Sequence, residues 1–186
     1  MTQRGVTLVE FLLSAALLVS GGGILALWIR YAGLHMDYLG QSKVAMNAAQ
    51  GLLERLAATD MDVLWTQPEY AAARGAGQRC WVEDLNCNGF LEPGEDMNDN
   101  GTLDSGPLLN GGALTLQIRQ PAADRANNPG RPSLLDLHVA ACWRSAGHPI
   151  GEDQNCNGVL DPGEDTRDIG WIDSPIMVST RVARGG

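Results

Sequence analysis

Arg4-Gly5-Val6-Thr7-Leu8-Val9-Glu10-Phe11 opens an apolar run that continues to Ile29, and its reading decides how the rest of the chain is understood. The leader before it, Met1 to Gly5, is polar and carries one basic side chain, Arg4. A helix needs about 20 residues to cross the ~30 Å of bilayer hydrocarbon, and this run supplies them. A secretory signal peptide has a shorter apolar core, with its small-residue cleavage site after that core. Here the small residue, Gly5, comes first, so a cut there leaves the hydrophobic helix on the mature chain. Gly21-Gly22-Gly23 interrupts the run. Each glycine costs about 1 kcal/mol of helix propensity against alanine, which makes this the expected place for the helix to kink or loosen. Close packing of small residues against a neighbouring helix is the alternative.

Glu10 stands almost at the start of the apolar helix. A carboxylate within a membrane segment costs roughly 2.5–3.5 kcal/mol or more unless it is paired, so Glu10 reads as functional. Capping the helix N-terminus is the other role open to it, favoured by the macrodipole by about 0.3–1 kcal/mol. Burial among apolar neighbours outweighs that gain, so capping alone explains Glu10 poorly.

Gly5-Val6-Thr7-Leu8-Val9-Glu10 resembles the leader junction of the type IV pilin and type II secretion pseudopilin superfamily. The resemblance implies cleavage by a prepilin peptidase between Gly5 and Val6, and methylation of Val6 as the new N-terminus. It also implies that Glu10 pairs with the N-terminal amine of a neighbouring subunit during assembly. The family more often has Phe or Met where this chain has Val6, a departure that points to a minor pilin rather than the major subunit. A single-pass helix with its N-terminus in the cytoplasm would hold the protein in the inner membrane before assembly. Afterwards it would belong to a pilus, in the periplasm or at the cell surface. Its partners would be other pilin subunits, the peptidase and the membrane.

The 186 residues allow a stalk and one globular domain of ordinary size. A net charge of −9 leaves no basic stripe to neutralise phosphates, so nucleic acid is not an expected partner. The acid is concentrated: 13 of the 22 Asp and Glu lie in Glu83–Asp104 and Glu152–Asp168, beside a single basic residue, Arg167. Such clustering calls for a counterion. Cys80, Cys87, Cys142 and Cys156 all follow the membrane segment, and an even number in a translocated domain favours disulfides.

Taken in order, residues 1–5 are the leader and 6–30 the membrane and assembly helix. Residues 31–58 form an amphipathic helix with Leu34, Tyr38, Ala45, Ala49, Leu52, Leu53 and Leu56 at three- and four-residue steps. The globular domain is 59–186, with acidic loops at 84–107 and 153–175. Residues 59–79 read as loop-rich, anchored by Trp65 and Tyr70. Strands are expected at Ala113–Arg119, Leu134–Trp143 and Ile176–Arg184. The second strand alternates Leu135, Leu137, Val139 and Ala141 with Asp136 and His138. Pro121 to Pro132 reads as an exposed loop. The fold class is α+β and pilin-like: a long N-terminal helix laid across a small antiparallel sheet, with calcium-loop insertions.

Asp84-Leu-Asn86-Cys87-Asn88-Gly89-Phe90-Leu-Glu92-Pro-Gly-Glu95-Asp96 recurs, 69 residues on, as Asp153-Gln-Asn155-Cys156-Asn157-Gly158-Val159-Leu-Asp161-Pro-Gly-Glu164-Asp165. A Cys-Trp pair precedes each copy, so a supersecondary unit has been duplicated. Both copies satisfy D-x-[DN]-x-[DN]-G-x5-E, the loop of EF-hand calcium sites. Calcium takes six to eight oxygens from positions 1, 3, 5, 7, 9 and 12, with Gly at 6 for the sharp turn. The first loop offers Asp84, Asn86, Asn88, the Phe90 carbonyl, Glu92 and Glu95. The second offers Asp153, Asn155, Asn157, the Val159 carbonyl, Asp161 and Glu164. An oxygen-only donor set suits calcium and neither zinc nor copper. Pro93-Gly94 and Pro162-Gly163 stand where an exit helix would start, so these are calcium loops without EF-hand helices. Solvated Asn/Gly-rich turns are the other reading.

A third, partial loop offers Asp96, Asn98, Asn100, the Thr102 carbonyl and Asp104, but Pro107 replaces the acid at position 12, so any site there is weaker. In the second copy Arg167 and Ile169 replace two of the ligands and put a cation inside the ring, so that site is lost. Cys87 and Cys156 fall at position 4 of their loops, which ligates nothing. All three disulfide connectivities respect the duplication; shorter closure entropy favours Cys80–Cys87 and Cys142–Cys156 modestly.

The expected function is that of a minor type IV pilin, and a minor pseudopilin of a type II secretion system is the alternative. Catalysis is not expected: His35, His138 and His148 are scattered and no nucleophile–base grouping stands out. A surface adhesin on a plain membrane helix would need neither the Gly5 junction nor Glu10.

Overall fold

The computed structural model describes residues 7–84, 87, 89–96, 99–103, 112–145 and 148–184. Its first element, α1 (Leu8–Ala58), is 51 residues long, and the chain divides into two compact units, Met1–Leu39 and Gly40–Gly186. In the first unit Leu8, Phe11, Leu12, Leu18, Ile24 and Trp28 are all exposed. By length and composition α1 can cross a membrane. The helix runs through Gly21-Gly22-Gly23 without a break. Three residues at about 1 kcal/mol each do not break a helix whose neighbours on both sides are good formers. The Ser20 hydroxyl just ahead of them donates back to the Ala16 carbonyl at 2.9 Å, which satisfies it within the helix.

In the second unit the amphipathic pattern resolves to one stripe. Ala45, Ala49, Leu52 and Leu56 are buried, at steps of four, three and four. That stripe packs on an antiparallel sheet of β1 (Gln78–Cys80), β2 (Ala113–Arg119), β3 (Leu134–Ser145), β4 (His148–Ile150) and β5 (Met177–Ala183). The order is β1-β2-β3. The far edge of β3 is shared, with β5 pairing along Leu134–Ala140 and β4 along Trp143–Ser145.

The register sets Leu116 beside Val139 and Val178, and Gln117 beside His138 and Ser179. Leu114, Leu116 and Ile118 of β2 and Leu135, Leu137 and Val139 of β3 therefore share the core face, and all are buried. The opposite face is covered too. Ile172 N–H donates to Gln117 Oε1 at 2.9 Å, Gln117 Nε2 donates to the Ala76 carbonyl at 3.3 Å, and the Trp171 ring stacks on His138 at 3.6 Å. This cover explains why Thr115 and Gln117, polar residues on the outer face, are buried as deeply as their aliphatic neighbours.

Three expectations need correction. The second strand extends to Ser145, because β4 folds back to pair with its end, and the third is Met177–Ala183. Residues 59–79 contain α2 (Met61–Thr66), capped where Asp60 accepts from Asp62 N–H at 2.7 Å, and a single 3-10 turn, Pro68–Tyr70. Tyr70 is buried as expected of an anchor, and Trp65 is half-buried. The span read as an exposed loop holds α3 (Ala122–Asn127), organised by the buried Asp124. That carboxylate accepts from Gln120 Nε2 at 2.9 Å, Asn128 Nδ2 at 2.8 Å, Ser133 N–H at 3.0 Å and the Ser133 hydroxyl.

Candidate functional site: the helix start and the duplicated acidic loops

Gly5 and Val6 lie outside the described residues. Thr7-Leu8-Val9-Glu10 forms a capping box. Thr7 N–H and its hydroxyl donate to Glu10 Oε2 at 2.9 and 3.0 Å, and Glu10 N–H donates to Thr7 Oγ1 at 3.3 Å. The capping role set aside on energetic grounds is thus the one this carboxylate fills in the isolated chain. The interaction satisfies helix-start donors that lipid could not.

At their described positions the acidic loops share one turn geometry. In the second, Asp153 at position 1 accepts from Asn157 N–H at 3.1 Å and Gly158 N–H at 2.8 Å. In the first, Asp84 accepts from Gly89 N–H at 2.9 Å. At the far end Glu92 N–H donates to Glu95 Oε2, and Asp161 N–H donates to Glu164 Oε2, at 2.9 and 3.0 Å. Asn155 Nδ2 and Asn157 Nδ2 both donate to Asp161 Oδ2, at 3.0 and 2.9 Å. Val159 N–H donates to Asn157 Oδ1. Asp84, Glu95, Asp153 and Glu164, the first and last ligand positions, are buried, whereas Phe90 is 73% exposed. Asn86 and Asn88 are outside the described residues.

The partial loops repeat this geometry. Asp96 accepts from Asn100 and Gly101 N–H at 3.0 and 2.8 Å, and Asp165 from Ile169 and Gly170 N–H at 2.9 and 2.7 Å. Asn100 Oδ1 accepts from Thr102 N–H at 2.7 Å, while Asn98 and Asp104 are outside the described residues. Position 4 has positive φ in all four loops: Cys87 59°, Asp99 54°, Cys156 55° and Asp168 53°. So does position 6, at Gly89, Gly101, Gly158 and Gly170. In the fourth loop Arg167 Nη1 lies 2.5 Å from Asp173 Oδ2, so a guanidinium supplies positive charge to that ring.

No known protein family, curated protein or solved structure matches this chain. The loops are therefore judged by their own chemistry. Donor type, glycine placement and buried terminal carboxylates fit a hard cation. The carboxylates are not drawn together: among the described residues no group of three or more His, Cys, Asp or Glu is arranged to hold a metal ion. Asp84, Glu95, Asp96, Asp153, Asp161, Glu164 and Asp165 instead accept from N–H groups of their own loops.

The disulfides are Cys80–Cys87 and Cys142–Cys156, the local pairing, so each ties the fourth position of a loop to the strand before it. Sequence reasoning missed Glu83 and Glu152, the acids immediately ahead of the two loops. Glu83 is fully buried, and Glu152 accepts from Asp173 N–H at 3.0 Å and from the Thr166 hydroxyl, joining the start of the second loop to the end of the fourth. Their matching register in the duplication was the available signal. Arg79 was missed as well. It lies over Trp81 at 3.6 Å, burial lowers its pKa, and the Asp153 carboxylate pushes it back up.

Proposed function

We propose that this chain is a minor type IV pilin, processed between Gly5 and Val6, anchored by α1 and incorporated into a filament through Glu10. The observation that carries this reading is the pairing of a cleavable Gly-Val junction with a single carboxylate at the head of an exposed apolar helix, ahead of a small antiparallel sheet. The Thr7–Glu10 cap keeps the carboxylate satisfied in the unassembled chain. Pairing with a neighbour's amine would replace it on assembly. The role is structural, with no catalytic step.

Calcium would be held in one loop by Asp84, Asn86, Asn88, the Phe90 carbonyl, Glu92 and Glu95. In the other it would be held by Asp153, Asn155, Asn157, the Val159 carbonyl, Asp161 and Glu164. It would supply the positive charge that these loops otherwise lack. The duplicated acidic loops suit a minor pseudopilin of a type II secretion system equally, and that is the second reading.

The test is N-terminal mass spectrometry of protein from native membranes, combined with Glu10→Ala. A mature chain that begins at methylated Val6, with Glu10→Ala inserted normally but lost from sheared filaments, is the expected result. Retention of Met1 in peptidase-competent cells, or normal amounts of Glu10→Ala in filaments, sinks the reading. The filament type with which the protein co-purifies separates pilus from secretion system.

A further inference from the structure

Ala45, Ala49, Leu52 and Leu56 fix one stripe of α1 on the sheet. One position round the helix runs a second stripe, Val44, Ala48, Gly51 and Arg55, at the same steps of four, three and four. This second stripe is one wall of a cavity of about 360 Å³, and Trp81, Val82 and Leu114 stand on the other side. Gly51 sets the opening. A Cβ added there would meet no atom within 4 Å.

The aromatic wall is held in place before any ligand arrives. Cys80, on one side of Trp81, is bonded to Cys87, and Val82, on the other, is buried. The Arg79 guanidinium, outside the cavity wall, lies 3.6 Å from the centre of the Trp81 ring and steadies it. Leu52 and Leu114, both buried, supply apolar surface within. Ligand pockets run to about 300–1,000 Å³, mostly apolar, with a few polar groups that orient the occupant. This one lies at the small end of that range, so it suits one or two rings rather than a long chain.

Two charged residues line the cavity, Arg55 and Asp84. Asp84 accepts from Gly89 N–H at 2.9 Å, within its own loop. Arg131, Arg167, Arg181 and Arg184 each pair with a carboxylate. The Arg55 guanidinium, by contrast, has no hydrogen bond or ion pair among the described residues, in a chain of net charge −9. A free guanidinium beside an apolar wall selects an anion. We propose that this cavity binds a small ligand with a flat apolar body and one anionic group, the body against Trp81 and the anion on Arg55. An uncharged ring leaves Arg55 unpaired, and an anion without rings leaves the apolar walls in water. The site depends on neither the pilin reading nor the calcium reading.

Nuclear magnetic resonance of the isotope-labelled full chain in detergent tests this, with naphthoate as the probe. Naphthamide, the same two rings without the charge, is its control. The Gly51 amide and the Trp81 indole N–H report the cavity, and the Trp28 indole, on the exposed apolar run of α1, reports probe dissolved in the micelle. Naphthoate should shift Gly51 and Trp81 saturably, and bind about threefold tighter or more than naphthamide. Arg55→Gln should bring the two probes to equal affinity. Gly51→Leu fills the cavity with a better helix former, so it should melt no lower than the unaltered protein and lose the Trp81 shift. Shifts confined to Trp28, equal affinity for the two probes in the unaltered protein, or undiminished naphthoate binding by Gly51→Leu would each overturn the proposal. Should Gly51→Leu not fold, Arg55→Gln, at an exposed side chain, decides: a preference for naphthoate that survives it overturns the site.

Discussion

At Gly158 a missing side chain is what lets two segments touch. Its φ is +79°, and a Cβ would meet Arg79 Cα at 2.5 Å and Arg79 N at 2.6 Å, backbone atoms that cannot swing away. Gly94, with φ +92°, has open space around the same position. The pair separates two costs. Gly94→Ala carries the conformational penalty alone, about 1–2 kcal/mol. Gly158→Ala adds overpacking of about 1–3 kcal/mol. Urea unfolding should rank Gly158→Ala clearly below Gly94→Ala; equal losses would mean that the second loop does not press on β1. Asp124 gives a pH prediction. Hydrogen bonds from Ser133 first, then from Gln120 and Asn128, hold its pKa well below the usual carboxylate range. Its folded pKa is depressed, so its contribution is full above the unfolded value of about 3.9 and is lost as pH falls towards the folded one. The stability difference between wild type and Asp124→Ala should therefore hold steady above about pH 5 and shrink below about pH 4. A difference that stays constant down to acid unfolding would contradict the assignment.

The elements legible in the sequence were those that carry their own periodicity. Leu135, Leu137 and Val139 alternate with Asp136 and His138 because one sheet face is core, and β3 starts at Leu134 as expected. β1 and β4 are three residues each and exist only through pairing, which no local pattern announces. α2 and α3, six residues each, are too short to be stable alone; the Asp60 cap makes the first and the hydrogen bonds of Asp124 the second. The acidic loops were legible as a repeat, and their shared positive φ at position 4 was not, because Cys stands there in two of them. Asp99 and Asp168 at that position in the other two, residues that tolerate a left-handed backbone, were the clue. The stripe on α1 gives the prediction at this scale. Leu56 is 2% exposed and Leu17 65% exposed. Leu56→Ala should cost about 2–5 kcal/mol. Leu17→Ala should leave the melting of the Gly40–Gly186 unit where it was, and equal effects would mean that the helix buries no distinct face on the sheet.

For the molecule as a whole, charge sets the problem that folding must solve. Seven acids lie in Glu83–Asp104 and six in Glu152–Asp168, within a chain of net charge −9. Loop N–H groups satisfy several of the carboxylates as acceptors but leave their mutual repulsion in place. Bound calcium would cancel it. An ion that binds only the folded state adds about 2.7 kcal/mol per site at one hundred times Kd. The whole domain has only about 5–15 kcal/mol to lose. Chelator should therefore lower the melting temperature of the full chain by several degrees or more, and calcium should restore it. Sodium chloride at matched ionic strength should restore part of it, because screening weakens repulsion between exposed charges and leaves the buried Asp84, Glu95, Asp153 and Glu164 largely unaffected. Glu95→Gln and Glu164→Gln should each raise the melting temperature in chelator, by removing a charge, and lower it in calcium, by removing a ligand. That reversal of sign separates metal binding from simple charge relief. Melting indifferent to chelator, with both substitutions stabilising under every condition, would leave the loops as turns that carry acid at a cost.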